Sequence, residues 1–136
     1  MINIAIVEDE AMYAKQLQEF LQQYQKENGE VFNITVYSDG DQIVHKYKSQ
    51  FDIILMDVMM PEVDGLTATR CIRSLNRPDA ERIPIFAVTA SISSGDIEKI
   101  KAAGMTAYLP KPLVWEELIA VLERYCEKTD CPLQGV

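Results

Sequence analysis

Four separated stretches of this 136-residue chain carry side chains that could do chemistry together. Glu8-Asp9 follows the apolar run Ile2 to Val7, and Asp57 follows Phe51 to Met56. Thr89 follows Ile83 to Val88, and Lys111-Pro112 lies just beyond Thr106 to Leu109. Three carboxylates, a hydroxyl and an ammonium group therefore each follow a run that reads as a strand. Taken singly, each has an ordinary explanation: a carboxylate capping the next helix, a threonine in a turn, a solvated lysine. The joint pattern is harder to dismiss. Asp57 closes an uninterrupted apolar run, and an unpaired charge there would be expensive to bury. Lys111 and a divalent cation would supply its partners. An oxygen-rich donor set suits magnesium, which keeps several waters and takes one or two carboxylates plus phosphate oxygens. No Cys or His belongs to the set, which argues against zinc.

Positioning these groups requires a regular alternation of strands and helices, and the hydrophobic pattern supplies one. Ile2 to Val7 reads as a buried strand. Ala11, Ala14, Leu17, Phe20, Leu21 and Tyr24 recur at helical spacing until Asn28-Gly29. Val31 to Tyr37 alternates as a strand near a sheet edge does. Asp41 to Lys48 is a short helix after the turn at Ser38-Asp39-Gly40. Phe51 to Met56 is a strand buried on both faces, and residues 59–65 form a loop. Leu66 to Leu75 is a helix with Ala68, Ile72 and Leu75 on one face. Ile83 to Val88 is a fourth strand, with Pro84 near its start, where a missing donor is tolerated. Ser93 or Ser94 caps a helix that Gly104 ends. Thr106 to Leu109 is a short fifth strand, and Trp115, Leu118, Ile119 and Leu122 form the inner stripe of a last helix. The expected fold is α/β: a doubly wound, five-stranded parallel sheet with helices on both faces. One domain is expected over residues 1–126, with an unstructured tail at 127–136. Sheets of this kind bind ligands beyond the carboxyl ends of their strands, where the four stretches lie.

Composition narrows the class. Apolar residues make up 48% and charged residues 25%, as in an ordinary globular domain. No apolar run reaches the roughly 18 residues that span a bilayer, and the start carries no signal-peptide pattern, so a cytoplasmic location is the default expectation. The formal net charge of −8 argues against direct nucleic-acid binding. Cys71, Cys126 and Cys131 fit neither a disulfide framework nor a zinc site. Cys71 is read as a buried or half-buried small apolar residue, His45 as a surface side chain, and Trp115 as a helix-packing residue.

Glu8-Asp9, Leu55-Met56-Asp57-Val58-Met59-Met60-Pro61-Glu62-Val63-Asp64-Gly65, Val88-Thr89-Ala90 and Tyr108-Leu109-Pro110-Lys111-Pro112 together resemble the receiver domains of response regulators. The order and spacing hold over residues 1–126. The resemblance implies a flavodoxin-like sheet of order 2-1-3-4-5. It also implies that Asp57 accepts a phosphoryl group from a sensor histidine kinase or phosphotransfer protein. Glu8, Asp9, Asp57 and the backbone carbonyl of Met59 match the magnesium ligands. Thr89 matches the hydroxyl that bonds a phosphoryl oxygen, Lys111 the lysine that pairs with its charge, and Tyr108 the aromatic switch residue. The Lys111-Pro112 bond is expected to be cis. Such a domain catalyses its own phosphorylation and dephosphorylation and is no enzyme in the ordinary sense. Its partners would include an output domain or downstream protein, and a homodimer through the helix-four to helix-five surface is a family-level expectation. Membrane binding is not expected.

Glu8 stands where the family more often has aspartate, which should keep metal binding. Met59 and Ser91 offer no group to orient an attacking water, so a long-lived phosphorylated form is expected. Phosphate release within seconds would refute that expectation. The stretch through Gly65 looks like receivers attached to LytTR-type DNA-binding domains, while Arg73 to Pro112 looks more like receivers of hybrid sensor kinases. Three other readings compete. A receiver-like module that never turns over phosphate has no need of Asp57, Thr89 and Lys111 together. A haloacid-dehalogenase-type phosphatase would carry aspartate at the Met59 position. A flavodoxin-type cofactor binder would need a phosphate-cradling loop after the first strand.

Overall fold

The computed structural model describes residues 2–29, 31–48, 50–58, 64–90 and 93–129, with side chains as far as residue 123. Strands and helices alternate: β1 (Ile2–Val7), α1 (Ala11–Asn28), β2 (Phe32–Tyr37), α2 (Gly40–Lys46), β3 (Ile53–Asp57), α3 (Gly65–Arg73), β4 (Ile85–Thr89), α4 (Ser94–Ala103), β5 (Ala107–Pro110) and α5 (Trp115–Thr129). All strand pairs are parallel and the sheet order is β2-β1-β3-β4-β5, as expected.

The alternation of side chains along each strand explains the apolar runs. Ala5 and Val7, Ile54 and Met56, and Ile85 and Ala87 face one core with Ile43, Ala68, Ile72 and Ile100 of α2, α3 and α4. Ile4 and Ile6, Ile53 and Leu55, and Phe86 and Val88 face the other, with Leu17, Leu21, Leu118 and Leu122 of α1 and α5. A strand covered on both faces has no position left for a polar side chain until it emerges at its end. The edge strand β2 keeps Asn33 and Val36 exposed.

Local chemistry sets the helix ends. Asp39 accepts from the Asp41 and Gln42 amides to cap α2, and Asp64 accepts from Thr67 N at 2.8 Å to cap α3. Ser93 and Asp96 form a reciprocal capping box at the start of α4. Gly104, at φ 99°, ends that helix in the left-handed region. The Arg73 guanidinium donates to the Gly104 carbonyl from Nε and Nη2 at 3.0 and 2.8 Å, and to the Ala80 carbonyl at 3.2 Å. The ends of α3 and α4 are thereby joined.

Element ends differ from the sequence expectations by one to three residues, and one side chain lies elsewhere than expected. Helix α5 runs to Thr129, three residues into the stretch expected as an unstructured tail, where Glu127 and Lys128 favour helix. Strand β4 begins at Ile85 instead of Ile83, since Pro84 has no N–H to give the ladder. Cys71 is exposed. The buried arc of α3 runs through Ala68, Thr69 and Ile72, and Cys71 falls just outside it. Among the described residues no helix is long and apolar enough to cross a membrane.

Candidate functional site

The buried polar side chains among the described residues are Glu8, Asp57, Thr69 and Thr89. Three of these four stand at the carboxyl ends of neighbouring strands: Glu8 just beyond β1, Asp57 closing β3, and Thr89 closing β4. Asp57 is 2% exposed and Thr89 3%. Lys111 reaches the same place from beyond β5. Its amide donates to the Thr89 carbonyl at 2.9 Å, and its peptide bond to Pro112 is cis.

The Lys111 ammonium is surrounded. Its Nζ lies 3.1 Å from Glu8 Oε1, 3.3 Å from Asp57 Oδ1 and 3.6 Å from Glu10 Oε1. The ring of Tyr13 lies beside it, with the centroid at 4.1 Å. Oxygens of Glu8, Asp9, Glu10 and Asp57 all lie within 4.8 Å of one another. Three carboxylates thus crowd about one ammonium, with Asp9 beside them. Glu8 Oε1 receives no hydrogen bond, and its 3.1 Å approach to Nζ is ionic, off the hydrogen-bond direction. The start of α1 partly compensates. The Glu10 amide donates to Glu8 Oε2 at 3.1 Å, and the positive end of the helix faces the acidic group.

Electrostatics follow from this crowding. Burial, then the charge of Glu8, pushes Asp57 up from 3.8 to about 7, with Lys111 pulling the other way. Burial opposes the Lys111 charge, but Asp57 and Glu8 outweigh it and raise the ammonium above its usual value. The consequences for stability differ in sign. An acid raised in the folded state binds more protons than in the unfolded chain between about pH 4 and 7, so folding weakens as pH climbs through that window. A raised lysine stabilises throughout that range and loses its contribution only at alkaline pH. Without added metal, Asp57→Asn should therefore melt close to wild type near pH 4. By pH 7.5 it should melt about 5 °C higher, corresponding to roughly 2 kcal/mol. Melting curves in a chelating buffer check this, and equal melting temperatures at both pH values would contradict the assigned strain.

Glu8, Asp9, Asp57, Thr89 and Lys111 are all brought to the same rim. Met59 lies outside the described residues, as do Ser91 and Cys131; Cys126 lies within α5 but beyond the described side chains. Tyr108 is 37% exposed on β5. Its ring lines a groove of about 690 Å³ with Ile97 and Ile100 of α4 and Val121 of α5. His45 is remote from the rim, exposed and paired with Asp41 at 3.2 Å. Trp115 packs edge-on to Phe20 with centroids 5.6 Å apart. Sequence reasoning missed Glu10 and Tyr13. Glu10 was signalled by its place directly after Glu8-Asp9. Tyr13 carried no signal, because its importance arises from a lysine nearly a hundred residues away.

The response regulator receiver domain family matches residues 4–123. The histidine-protein kinase BarA of Escherichia coli is 41% identical over 96 residues, which is 70% of this chain and 10% of BarA. The transcription factor SKN7 of Candida albicans is 31% identical over 124 residues, 90% of this chain and 20% of that protein. The chain thus spans a tenth to a fifth of these relatives' length. Among solved structures, the receiver domain of sensor histidine kinase PA1611 from Pseudomonas aeruginosa superposes with a TM-score of 0.78 at 35% identity, covering 91% of this chain and 96% of that one. That structure holds a magnesium ion in its active site cleft. The chemotaxis protein CheY4 of Vibrio cholerae gives a TM-score of 0.79 at 25% identity, with 92% and 98% covered. With the family matched from β1 into α5, and acidic side chains, threonine and lysine gathered at one sheet rim, this chain belongs to the response regulator receiver domains of two-component signalling.

Proposed function

We propose that Asp57 accepts a phosphoryl group from a histidine kinase or phosphotransfer protein in a magnesium-dependent reaction. The observation that carries this reading is a buried carboxylate held 3.3 Å from a buried ammonium, inside a group of four carboxylates. A carboxylate oxygen of Asp57 attacks phosphorus, the bond from phosphorus to the donor's imidazole nitrogen breaks, and an acyl phosphate remains on Asp57. Phosphoryl transfer depends mainly on positioning and charge neutralisation. The Lys111 ammonium supplies one positive charge beside the reacting oxygen. The Thr89 hydroxyl bonds a phosphoryl oxygen.

The residues fit magnesium. The donors are all oxygens, and Glu8 Oε1 is buried without a hydrogen bond to satisfy it. Glu8, Asp9, Asp57 and the Met59 carbonyl would hold the ion, which supplies charge neutralisation for the phosphoryl oxygens. In the switch, Thr89 moves toward the new phosphoryl group and Tyr108 turns inward. The α4–β5–α5 face then changes its binding preference. Kinase or phosphotransfer partners, an output domain and a cytoplasmic location belong to the same proposal.

Acetyl phosphate with magnesium should add one phosphoryl group, lost in chelator and mapped to Asp57 by peptide mass analysis. Labelling elsewhere, or labelling that ignores magnesium, would overturn the reading. Lys111→Ala should still label but leave the α4–β5–α5 resonances largely unshifted in NMR spectra. A full shift in that variant would remove Lys111 from the switch.

A further inference from the structure

We propose that Tyr13 is a positioning residue for Lys111, its ring holding the ammonium beside Asp57 while the anionic partners of that ammonium change. The proposal rests on the phosphoacceptor reading above for its consequence, and on the observed contact for its existence.

Among the described residues, the charged groups around Lys111 Nζ are carboxylates of the acidic group. Glu8 and Asp57 stand at 3.1 and 3.3 Å, and both belong to the acidic group that would take a cation. Glu10, at 3.6 Å, belongs to the same group and is largely exposed. Once a cation draws these oxygens, and before a phosphoryl group is there to pair with the ammonium, their hold on the lysine weakens. A lysine side chain is a flexible four-carbon stem, and it would otherwise disperse into solvent. The Tyr13 ring is different in kind. It is neutral, it has no part in the acidic group, and its attraction for an ammonium comes from the electron-rich face of the ring. The centroid distance of 4.1 Å is well inside the range of that interaction. The Lys111 side chain is only 6% exposed, so the contact is made where solvent competes least.

Tyr13 is itself well fixed. It sits in the first turn of α1, its amide donating to the Glu10 carbonyl at 3.1 Å, and its ring packs against the core shared by α1 and α5. It also lines an open cavity of about 460 Å³ with Met12, Lys15 and Pro112, a cavity that Lys111 does not line.

The test replaces Tyr13 with Phe, with Leu, and with phenylalanines carrying one, two and three ring fluorines. Two quantities are read in the full chain: the rate of labelling by acetyl phosphate with magnesium, and the 15N signal of Lys111 Nζ in the unphosphorylated protein. Phe should stay within about twofold of wild type, and Leu should label about tenfold more slowly, the scale of a desolvated cation–π contact. The fluorinated rings, nearly equal in shape, should slow labelling stepwise as fluorine drains the ring face, and the Nζ signal should move with them. A flat response across the fluorinated series, or wild-type labelling in Tyr13→Leu, would overturn the proposal. If wild type itself takes no label, the phosphoacceptor reading fails, and the Nζ signal alone still decides whether the ring holds Lys111.

Discussion

Asp57→Asn should lose phosphoryl labelling by about a thousandfold or more, the scale on which removal of a nucleophile acts. The substitution keeps the shape of the side chain and removes the charged oxygen. Asp57 is 2% exposed and its Oδ1 lies 3.3 Å from the Lys111 ammonium, so the carboxylate lost is a buried one at the end of β3, beside that charge. Glu8 is a poor substitute although it is equally buried. It stands beyond β1, its Oε2 already accepts from the Glu10 amide at 3.1 Å, and its Oε1 meets Lys111. Lys111 also keeps Glu8 and Glu10 as partners in the variant, so the fold survives. Mass analysis after acetyl phosphate treatment, with melting curves as the control for folding, reads the result. Substantial labelling of a well-folded Asp57→Asn would show that phosphate enters at another residue.

Gly65→Ala should damage the same site from behind. A methyl group built on Gly65 would lie 2.3 Å from the Asp57 carbonyl oxygen and 3.0 Å from Val58 Cα. Both obstacles are backbone atoms, and no rotamer change can relieve them. The Gly65 amide also donates to the Val58 carbonyl at 3.0 Å, which ties the start of α3 to the end of β3. Either α3 backs away or the end of β3 shifts. Overpacking of this kind costs about 3 kcal/mol. That should lower the melting temperature by about 10 °C. Displacing Asp57 by even a fraction of an ångström should slow labelling about tenfold or more, since reaction rates are steeply sensitive to such misplacement. Thermal denaturation and a labelling time course would check both parts. A variant that melts and labels like wild type would mean the helix does not approach the strand so closely.

The architecture was legible because its signals are local. Runs such as Ile53 to Met56 and Ile85 to Val88, separated by helical spacing, admit few arrangements, and the expected strand order is the one observed. The gathering of Glu8, Asp9, Asp57, Thr89 and Lys111 was legible for a related reason. Each follows a strand, and parallel strands deliver their carboxyl ends to one rim. What stayed hidden depends on pairs far apart in the chain. Tyr13 matters through Lys111, and Arg73 matters through the Gly104 carbonyl. Gly65 looked like a turn residue, yet its lack of a side chain serves a contact with Asp57. The exposure of Cys71 turned on less than one helical turn of phase, finer than a hydrophobic pattern resolves.

The main-chain link from the Lys111 amide to the Thr89 carbonyl has a mechanical consequence. It yokes the two groups at their roots, as one rung of a ladder that Thr89 and Pro110 already share. Thr89 can then respond to a new neighbour by torsion about its side-chain bond, with that rung intact. The signal would leave the pocket as a change of side-chain packing over a stationary sheet, which is a cheap and quickly reversible kind of motion.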